Sequence, residues 1–332
     1  MKSKARQTIL GKAFEYACAV ALQKATESQA VVLEDTSQLR KAQGYYEDEL
    51  TDKEREKFDK AAAAGVRILL RFEPQVLNPF DNVPLILTLV SDEEGQAGDV
   101  RDVLCLRKQN EWEIGISCKH NHSAVKHSRL SATLNFGQKW FGIPCSDAYF
   151  KEIAPIFTNL ADIRKQSNKT AKWNVLGGSD AMFTLYKSVL DAFIRELKRL
   201  DKENPGVIAS RLVSYLIGVN DFYKFITMDV NKATQIQAFN MYGTLNRAAG
   251  RTKAIAPIRR LKLPTCFHKI DYLEVDGIPR HNTVALYCNN GWEISMRIHN
   301  ASSRVEPSLK FDVQLMTYPK EITSVIEPWN FY

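Results

Sequence analysis

An aspartate and a lysine stand at the ends of two short alternating segments near the middle of the sequence. Asp102 opens the segment at 103–107, and Lys119 closes the one at 112–119. The residues 108–110 predict a tight turn, so the two strands would be antiparallel and the two side chains would meet at one end. A carboxylate can hold Mg²⁺, and an ammonium beside it can orient water or stabilise charge on a phosphodiester. This layout therefore points to cleavage of nucleic acid.

An aspartate near a lysine at a strand end is more often a surface ion pair of little energetic value. The residues that follow Lys119 favour the chemical interpretation, because they offer several hydrogen-bond donors to phosphates and include no acid. These donors are His120, His122, Lys126, His127 and Arg129.

A second carboxylate is needed, because Mg²⁺ prefers several oxygen ligands. Glu113 shares a strand face with Lys119 but lies about 20 Å away at roughly 3.3 Å per residue, too far to bind the same ion. Two candidates are left. Asp99 lies three residues before Asp102, and Glu15 lies on the first predicted helix. The sequence leaves the choice between them open.

Hydrophobic periodicity predicts an α/β fold, with a mixed central sheet flanked by helices, a helical insertion and a β-rich C-terminal part. Helices are expected at 11–27, 51–70, 146–165, 180–200 and 205–219, and strands at 84–90, 103–107, 112–119, 266–275, 282–288, 292–299 and 308–316. Thr51 and Glu54 form a capping box, and Ser179 or Asp180 is the expected N-cap of the helix at 180–200. We divide the chain into a core at 1–145, a helical insertion at 146–230 and a basic β-rich recognition part at 231–332, or one continuous domain.

Composition limits the class of protein. The 332 residues are 45% hydrophobic and 25% charged, which suits a globular protein with a proper core. No apolar run approaches the roughly 18–20 residues that span a bilayer, and we expect no secretory signal because Lys12 and Glu15 interrupt the first apolar stretch. The six cysteines form no CxxC pair, so free thiols in a reducing cytoplasm are expected.

The positive charge is unevenly distributed. The net charge is +7, and residues 151–332 carry +8 while residues 1–150 carry −1. Two long windows, 114–146 and 230–270, contain no acid at all. Such windows predict a polyanionic partner. Arginine is the usual reader of G·C pairs in the major groove, and the candidates are Arg247, Arg251, Arg259, Arg260 and Arg304.

The order Asp, strand, turn, strand, Lys resembles the PD-(D/E)XK nuclease superfamily. More narrowly, the blocks 98–103, 112–117, 119–122 and 124–131 resemble the HaeIII-type Type II restriction endonucleases. The helix opening at 11–15 and the segment 304–312 also look similar to that family. The resemblance touches both ends and the centre of the chain, and the block at 98–131 is its most specific part.

The resemblance implies a PD-(D/E)XK restriction-endonuclease-like fold and Mg²⁺-dependent cleavage of double-stranded DNA at a short palindrome. For this family the expected site is GGCC, cut between G and C to leave blunt ends. A partner DNA methyltransferase would protect the host's own sites. A palindromic target suits a homodimer, although a monomer cutting the strands in turn remains an alternative.

The sequence departs from the superfamily pattern at one position. An acid usually stands two residues before the lysine, and here that residue is Ser117. We rank Asp102 and Lys119 first as catalytic residues, Asp99 and Glu15 next, and Ser117 last, acting through a bridging water. Asp102, Asp99 and Glu15 are the candidate metal ligands. The alternatives are a repair or recombination nuclease of the same superfamily, and a DNA-binding protein without activity.

Overall fold

A computed structural model describes residues 2–77, 83–91, 99–121, 128–300 and 302–330. The chain forms two compact units. The first unit comprises Met1–Ser123, Gly218–Leu261 and Glu321–Tyr332, and the second comprises Ala124–Ile217 and Lys262–Lys320. The chain therefore alternates between the units, whereas the sequence analysis divided it into three consecutive parts. The functional division into core, insertion and recognition part stays a prediction.

Helices and strands follow one another along the chain in an α/β pattern. The described α-helices are α1 (Lys2–Ala25), α2 (Ser37–Asp48), α3 (Asp52–Phe72), α4 (Phe136–Phe141), α5 (Asp147–Gln166), α6 (Ser179–Glu203) and α7 (Ile208–Ile217). The described strands are β1 (Val31–Leu33), β2 (Leu85–Leu89), β3 (Val103–Arg107), β4 (Trp112–His120), β5 (Arg129–Ser131), β6 (Phe222–Met228), β7 (Ala233–Phe239), β8 (Phe267–Val275), β9 (Ile278–Cys288), β10 (Glu293–Asn300), β11 (Ser308–Thr317) and β12 (Thr323–Pro328).

The first unit is built on a mixed sheet, as the sequence predicted. Within the described residues it has seven strands in the order β1-β2-β3-β4-β6-β7-β12. Strands β2, β3 and β4 are antiparallel neighbours, while β6 lies parallel to β4. A hydrophobic core forms where helices α1 and α3 cover one face of this sheet.

Strand β4 shows why one face of the sheet is apolar and the other polar. Trp112, Ile114, Ile116 and Cys118 belong to the buried core with α1 and α3, because alternate residues of a strand point to the same face. The opposite face is polar and tightly packed. At Gly115 an added Cβ would lie 2.0 Å from Cδ of Arg101, so only glycine leaves room for that side chain.

The second unit contains an antiparallel sheet in the order β5-β11-β10-β9-β8 among its described residues. An aromatic cluster joins its helices to this sheet. The Phe193 ring of α6 lies 5.0 Å from that of Phe136 in α4 and 5.2 Å from that of Phe311 in β11. The prediction of a helical stretch followed by a β-rich C-terminal part is confirmed by α5 to α7 and β8 to β12.

Local capping decides where helices begin. The capping box of Thr51 and Glu54 is present at the start of α3, as predicted. The predicted N-cap of α6 was wrong: Ser179 is already the first helical residue, and Gly178 is the N-cap. Gly177 and Gly178 adopt φ angles of 106° and 90°, which glycine tolerates without steric cost. The chain therefore enters the helix one residue earlier than its polar side chains suggest.

The largest correction concerns the end of the predicted helical insertion. Residues 222–228 form β6, a strand inside the first sheet, rather than part of a helical stretch. Strands β1, β5, β7 and β12 and helices α2 and α4 were also missed. No helix among the described residues is long and apolar enough to cross a membrane.

Candidate active site

Asp102 and Lys119 meet at one end of the central strands, as the sequence predicted. The Lys119 Nζ lies 3.2 Å from Asp102 Oδ2, and both side chains are partly exposed. The backbone N–H of Cys118 donates to the same Oδ2 at 2.7 Å. The position of Asp102 is fixed further by its own N–H, which donates to the carbonyl of Ile116. The carboxylate is thus held at the open end of the strand pair.

Glu15 of α1 reaches the same place from outside the sheet. Its side chain is almost fully buried, and Lys12 Nζ lies 3.0 Å from its Oε2. Burial and the neighbouring Asp102 carboxylate raise the pKa of Glu15 to about 8, against the smaller opposing effects of Lys12 and Lys119. A carboxylate that is buried near another carboxylate has its pKa raised in this way. The structure therefore brings Glu15, Asp102 and Lys119 together.

Lys119 is held in its charged form. Burial acts to lower the pKa of Lys119, but the Asp102 and Glu15 carboxylates outweigh it and raise the pKa above its ordinary value. A lysine that keeps its proton can donate hydrogen bonds and stabilise negative charge, but it cannot accept a proton from water at neutral pH.

Asp99 belongs to a different cluster of charges. Arg101 Nη2 lies 2.6 Å from Asp99 Oδ2, and Arg101 Nε donates to both carboxylate oxygens. Asn220 Nδ2 donates to Oδ2 as well, at 3.2 Å. The other end of the guanidinium binds Glu113 at 2.8 Å. Of the two candidates for the second carboxylate, the structure favours Glu15 over Asp99.

Ser117 is buried on the polar face of β4, 2% exposed. Its hydroxyl lies 3.4 Å from Asp102 Oδ2, a weak contact that helps to orient the carboxylate. Across the parallel ladder Ser117 is the register partner of Lys224 in β6. Lys224 was missed by the sequence analysis because β6 was not predicted; its signal was the aromatic and β-branched run at 222–227.

The donor set at this site fits a hard divalent cation. Among the residues that the structure describes, no three His, Cys, Asp or Glu side chains form a cage for a metal ion. Mg²⁺ does not need one, because it usually keeps several waters and binds one or two carboxylates together with substrate phosphates. Asp102 and Glu15 are the two carboxylates that would hold such an ion.

The predicted phosphate-binding residues after Lys119 have different placements. His120 turns to the other face of the sheet, where its ring lies 5.2 Å from that of Phe58, and its Nδ1 lies 2.9 Å from Thr227 Oγ1. This placement does not favour a phosphate contact by His120. Arg129 is exposed in the second unit, 3.3 Å from Glu306. His122, Lys126 and His127 lie outside the described residues.

Four of the five candidate base-reading arginines are exposed on one long segment of the first unit, 241–261, which contains no acid. They are Arg247, Arg251, Arg259 and Arg260. Buried carboxylates hold this segment: Asp221 accepts from the backbone N–H groups of Met241, Tyr242 and Thr244, and Glu73 from that of Asn246. Its tip is a tight turn in which Ala249 and Thr252 exchange two backbone hydrogen bonds of 2.9 Å. The segment thus presents its cations on a fixed backbone.

Arg304, the fifth candidate, is exposed in the second unit. Its Nη1 donates to the carbonyl of Lys169 at 3.3 Å, and its backbone forms an isolated bridge with Lys172. Nothing in its contacts distinguishes a base reader from a surface arginine.

Comparison with known proteins identifies the family of the chain. The model of the HaeIII restriction endonuclease family matches residues 11–319. The chain is also 40% identical over 327 residues to the Type II restriction enzyme HaeIII of Haemophilus aegyptius. The aligned region covers 96% of this chain and 97% of that protein. No solved structure is significantly similar.

The match over nearly the whole chain defines the class: a Type II restriction enzyme, which is a site-specific deoxyribonuclease acting on double-stranded DNA. The chain belongs to the HaeIII restriction endonuclease family. The resemblance seen in the sequence is thereby confirmed.

Proposed function

We propose that the chain cuts both strands of DNA in a Mg²⁺-dependent reaction, with Asp102 and Glu15 as metal ligands and Lys119 as the catalytic cation. The convergence of these three side chains at one end of β3 and β4 carries the proposal. Bound Mg²⁺ would lower the pKa of a water and neutralise charge on the phosphate.

The protein's own side chains have separate tasks in this reaction. Asp102 is fixed by the Cys118 N–H and oriented by Ser117, so it offers its free lone pairs in a constant direction. Lys119 stays protonated beside the two carboxylates, so it stabilises the negative charge that builds up on the phosphorus oxygens. Ser117 acts through Asp102 in this scheme.

We further propose that the first unit is a PD-(D/E)XK nuclease fold. Its support is topological: after helices α1, α2 and α3 come the antiparallel strands β2, β3 and β4, and β6 then adds in parallel to β4. The aspartate opens β3 and the lysine lies near the end of β4, as in the superfamily pattern. The acid missing at Ser117 is replaced by Glu15, supplied from α1.

The target that we propose is GGCC, cut between G and C to give blunt ends, as the family resemblance implies. The exposed arginines of 241–261 are suited to reading G·C pairs, because guanine offers two acceptors to a guanidinium in the major groove. A palindrome suits a homodimer. A DNA methyltransferase would complete the system by protecting host DNA, and we expect the enzyme to act in the cytoplasm.

The proposal is tested by incubating the purified protein with phage DNA, with and without Mg²⁺, and separating the products on a gel. Discrete fragments whose ends map to GGCC are the expected result. A smear, or cutting of branched DNA alone, would instead indicate a repair nuclease. A shifted but intact DNA band would indicate binding without cleavage.

Two substitutions test the assigned residues. Lys119→Ala should abolish cleavage and leave DNA binding measurable, because one phosphate contact among many is lost. Asp102→Asn should do the same by removing a metal ligand. Both are compared with Lys60→Ala, which changes an exposed lysine of α3 paired with Glu56. Retained cutting by either active-site variant would remove that residue from the mechanism.

A further inference from the structure

Arg101 stands directly before the proposed metal ligand Asp102, in the turn that leads into β3. It is 7% exposed, and its side chain runs across the polar face of the first sheet. Nε and Nη2 donate to the Asp99 carboxylate, and Nη1 donates to Glu113 Oε1 at 2.8 Å. A single guanidinium therefore joins the turn at 99–102 to strand β4.

Asp99 extends this connection in two directions. Its Oδ1 accepts from the backbone N–H of Arg101 at 3.0 Å, which closes a tight turn of the chain just before Asp102. Its Oδ2 accepts from Nδ2 of Asn220 at 3.2 Å, and Asn220 lies shortly before the first residue of β6. Side chains thus hold the turn both to β4 and to the segment that enters β6.

Strand β4 has room for Arg101 because residue 115 is glycine. An added Cβ would lie 2.0 Å from Cδ and 2.5 Å from Cγ of Arg101. Glycine inside a strand weakens the strand, and it often marks a place where another part of the protein approaches closely. At Gly115 the approaching part is the side chain next to Asp102 in sequence.

The position of Asp102 in the chain makes this support relevant to the chemistry. Asp102 comes just before the first residue of β3, and loops and strand ends open more easily than the middle of a sheet. Backbone hydrogen bonds to Ile116 and Val90 join Asp102 to the sheet. On the side before Asp102, the contacts of Arg101 hold the chain. A misplacement of about 1 Å at a reacting centre can cost about 100-fold in rate.

We propose that Arg101 is a positioning residue of the active site, which acts through Asp102 by holding the turn at 99–102 against β4. The inference rests on the metal-binding role proposed above for Asp102. Asp99 then has a supporting task, because it orients the Arg101 guanidinium. Groups that orient a metal ligand in this way change metal affinity or activity by about 10–100-fold when they are removed.

Arg101→Met tests the inference, because methionine keeps much of the aliphatic side chain and removes the guanidinium. We expect the Mg²⁺ concentration for half-maximal cleavage to rise by about tenfold or more. A second measurement needs no cleavage: the Mg²⁺ concentration that raises the melting temperature of the DNA-free protein should increase by a similar factor. DNA binding in EDTA should be unchanged, since this guanidinium is buried and bound to carboxylates.

Gly115→Ala disturbs the same contact from the side of β4. The new Cβ would displace the Arg101 side chain, so this variant should also need more Mg²⁺ for cleavage. In the double variant of Arg101→Ala and Gly115→Ala the clash is absent, so the second change should add little to the effect of the first. Effects that add in full would contradict a shared action through Arg101.

Arg107→Met is the matched control. Arg107 is a fully buried arginine at the opposite end of β3, where it donates to the carbonyl of Gln75 and to Oε1 of Gln29. Its loss should lower the melting temperature and leave the Mg²⁺ dependence of cleavage unchanged. If a methionine variant fails to fold, Arg101→Lys and Arg107→Lys replace the pair, since lysine keeps the charge but lacks the fork that binds two acceptors together.

The outcomes separate the positioning role from the active site itself. An equal shift in Mg²⁺ dependence for the Arg101 and Arg107 variants would overturn the inference, because it would reflect lost stability alone. Asp102→Asn is measured in parallel. If Asp102→Asn is inactive while a folded Arg101 variant keeps the Mg²⁺ dependence of the unchanged enzyme, only the role of Arg101 is rejected. Full activity of Asp102→Asn would reject the active site.

Discussion

Glu15 and Asp102 oppose each other at the centre of the site, and this repulsion has measurable consequences. Burial and Asp102 raise the pKa of Glu15 to about 8, whereas a glutamate in the unfolded chain keeps its ordinary value of 4.5. Between these two values the folded protein binds more protons than the unfolded chain. Without metal, Glu15 therefore lowers stability progressively as the pH rises from about 4.5 to 8.

Glu15→Gln should relieve this repulsion. In EDTA we expect the variant to melt at a higher temperature than the unchanged protein, with a larger difference at pH 8 than at pH 5. Mg²⁺ should raise the melting temperature of the unchanged protein and have much less effect on the variant, because binding stabilises only a folded state that binds. Calorimetry at both pH values, with Glu56→Gln as an exposed control, measures this. An equal effect of Mg²⁺ on both proteins would exclude Glu15 as a ligand.

At the residue scale, the sequence predicted the pair of Asp102 and Lys119 because strand alternation and a short turn are local properties. It could not choose between Asp99 and Glu15, since the choice depends on how α1 packs on the sheet and on Arg101 binding Asp99. The sequence could, however, have predicted that the His120 side chain points away from that of Lys119. A residue that follows Lys119 in the same strand must point to the other face.

Strand β6 marks the limit of prediction at the scale of elements. Its residues are nearly all buried on both faces, and such short apolar runs do not distinguish strand from helix by periodicity. Its place beside β4 results from a parallel pairing between residues about one hundred positions apart. In contrast, α3 and the hairpin of β3 and β4 follow from a capping box and a turn, which short stretches encode.

The segment 241–261 depends on Asp221, whose buried carboxylate accepts from three backbone N–H groups and the Thr244 hydroxyl. Asp221→Ala leaves these donors unsatisfied, and we expect a loss of about 2 kcal/mol or more in the free energy of unfolding. Hydrogen exchange at Met241, Tyr242 and Thr244 should become faster. Asp162→Ala, on the exposed face of α5, is the control for both measurements. Unchanged exchange in the Asp221 variant would mean that other contacts hold the segment.

The charge of the whole molecule bears on how it finds DNA. A protein with a net charge of +7 and an acid-free segment of exposed arginines should bind DNA less tightly as salt increases. Composition predicted a polyanionic partner, which agrees with the double-stranded DNA on which the family acts, but it could not show which cations are presented on a fixed backbone. That depends on Asp221 and Glu73, which are distant in sequence from the arginines they support.

Arg251→Ala and Arg259→Ala test whether the segment 241–261 contacts DNA. Each variant should reduce the slope of log K against log salt by about 0.9 if its guanidinium neutralises one phosphate. An arginine that reads a base should instead relax the preference for one position of the target, at a cost of about 1–3 kcal/mol in binding. Arg40→Ala, on α2 and paired with Asp35, is the control. Unaltered binding in both variants would place recognition elsewhere.

The alternation of the chain between its two units has a consequence for engineering. The strands that complete the sheet around Asp102 and Lys119 come from three separated stretches of sequence. No single continuous fragment can therefore be removed as a complete nuclease domain and fused to a different DNA-binding domain. Fusing the nuclease unit to another DNA-binding protein would first require its three stretches to be joined by new linkers into one continuous chain.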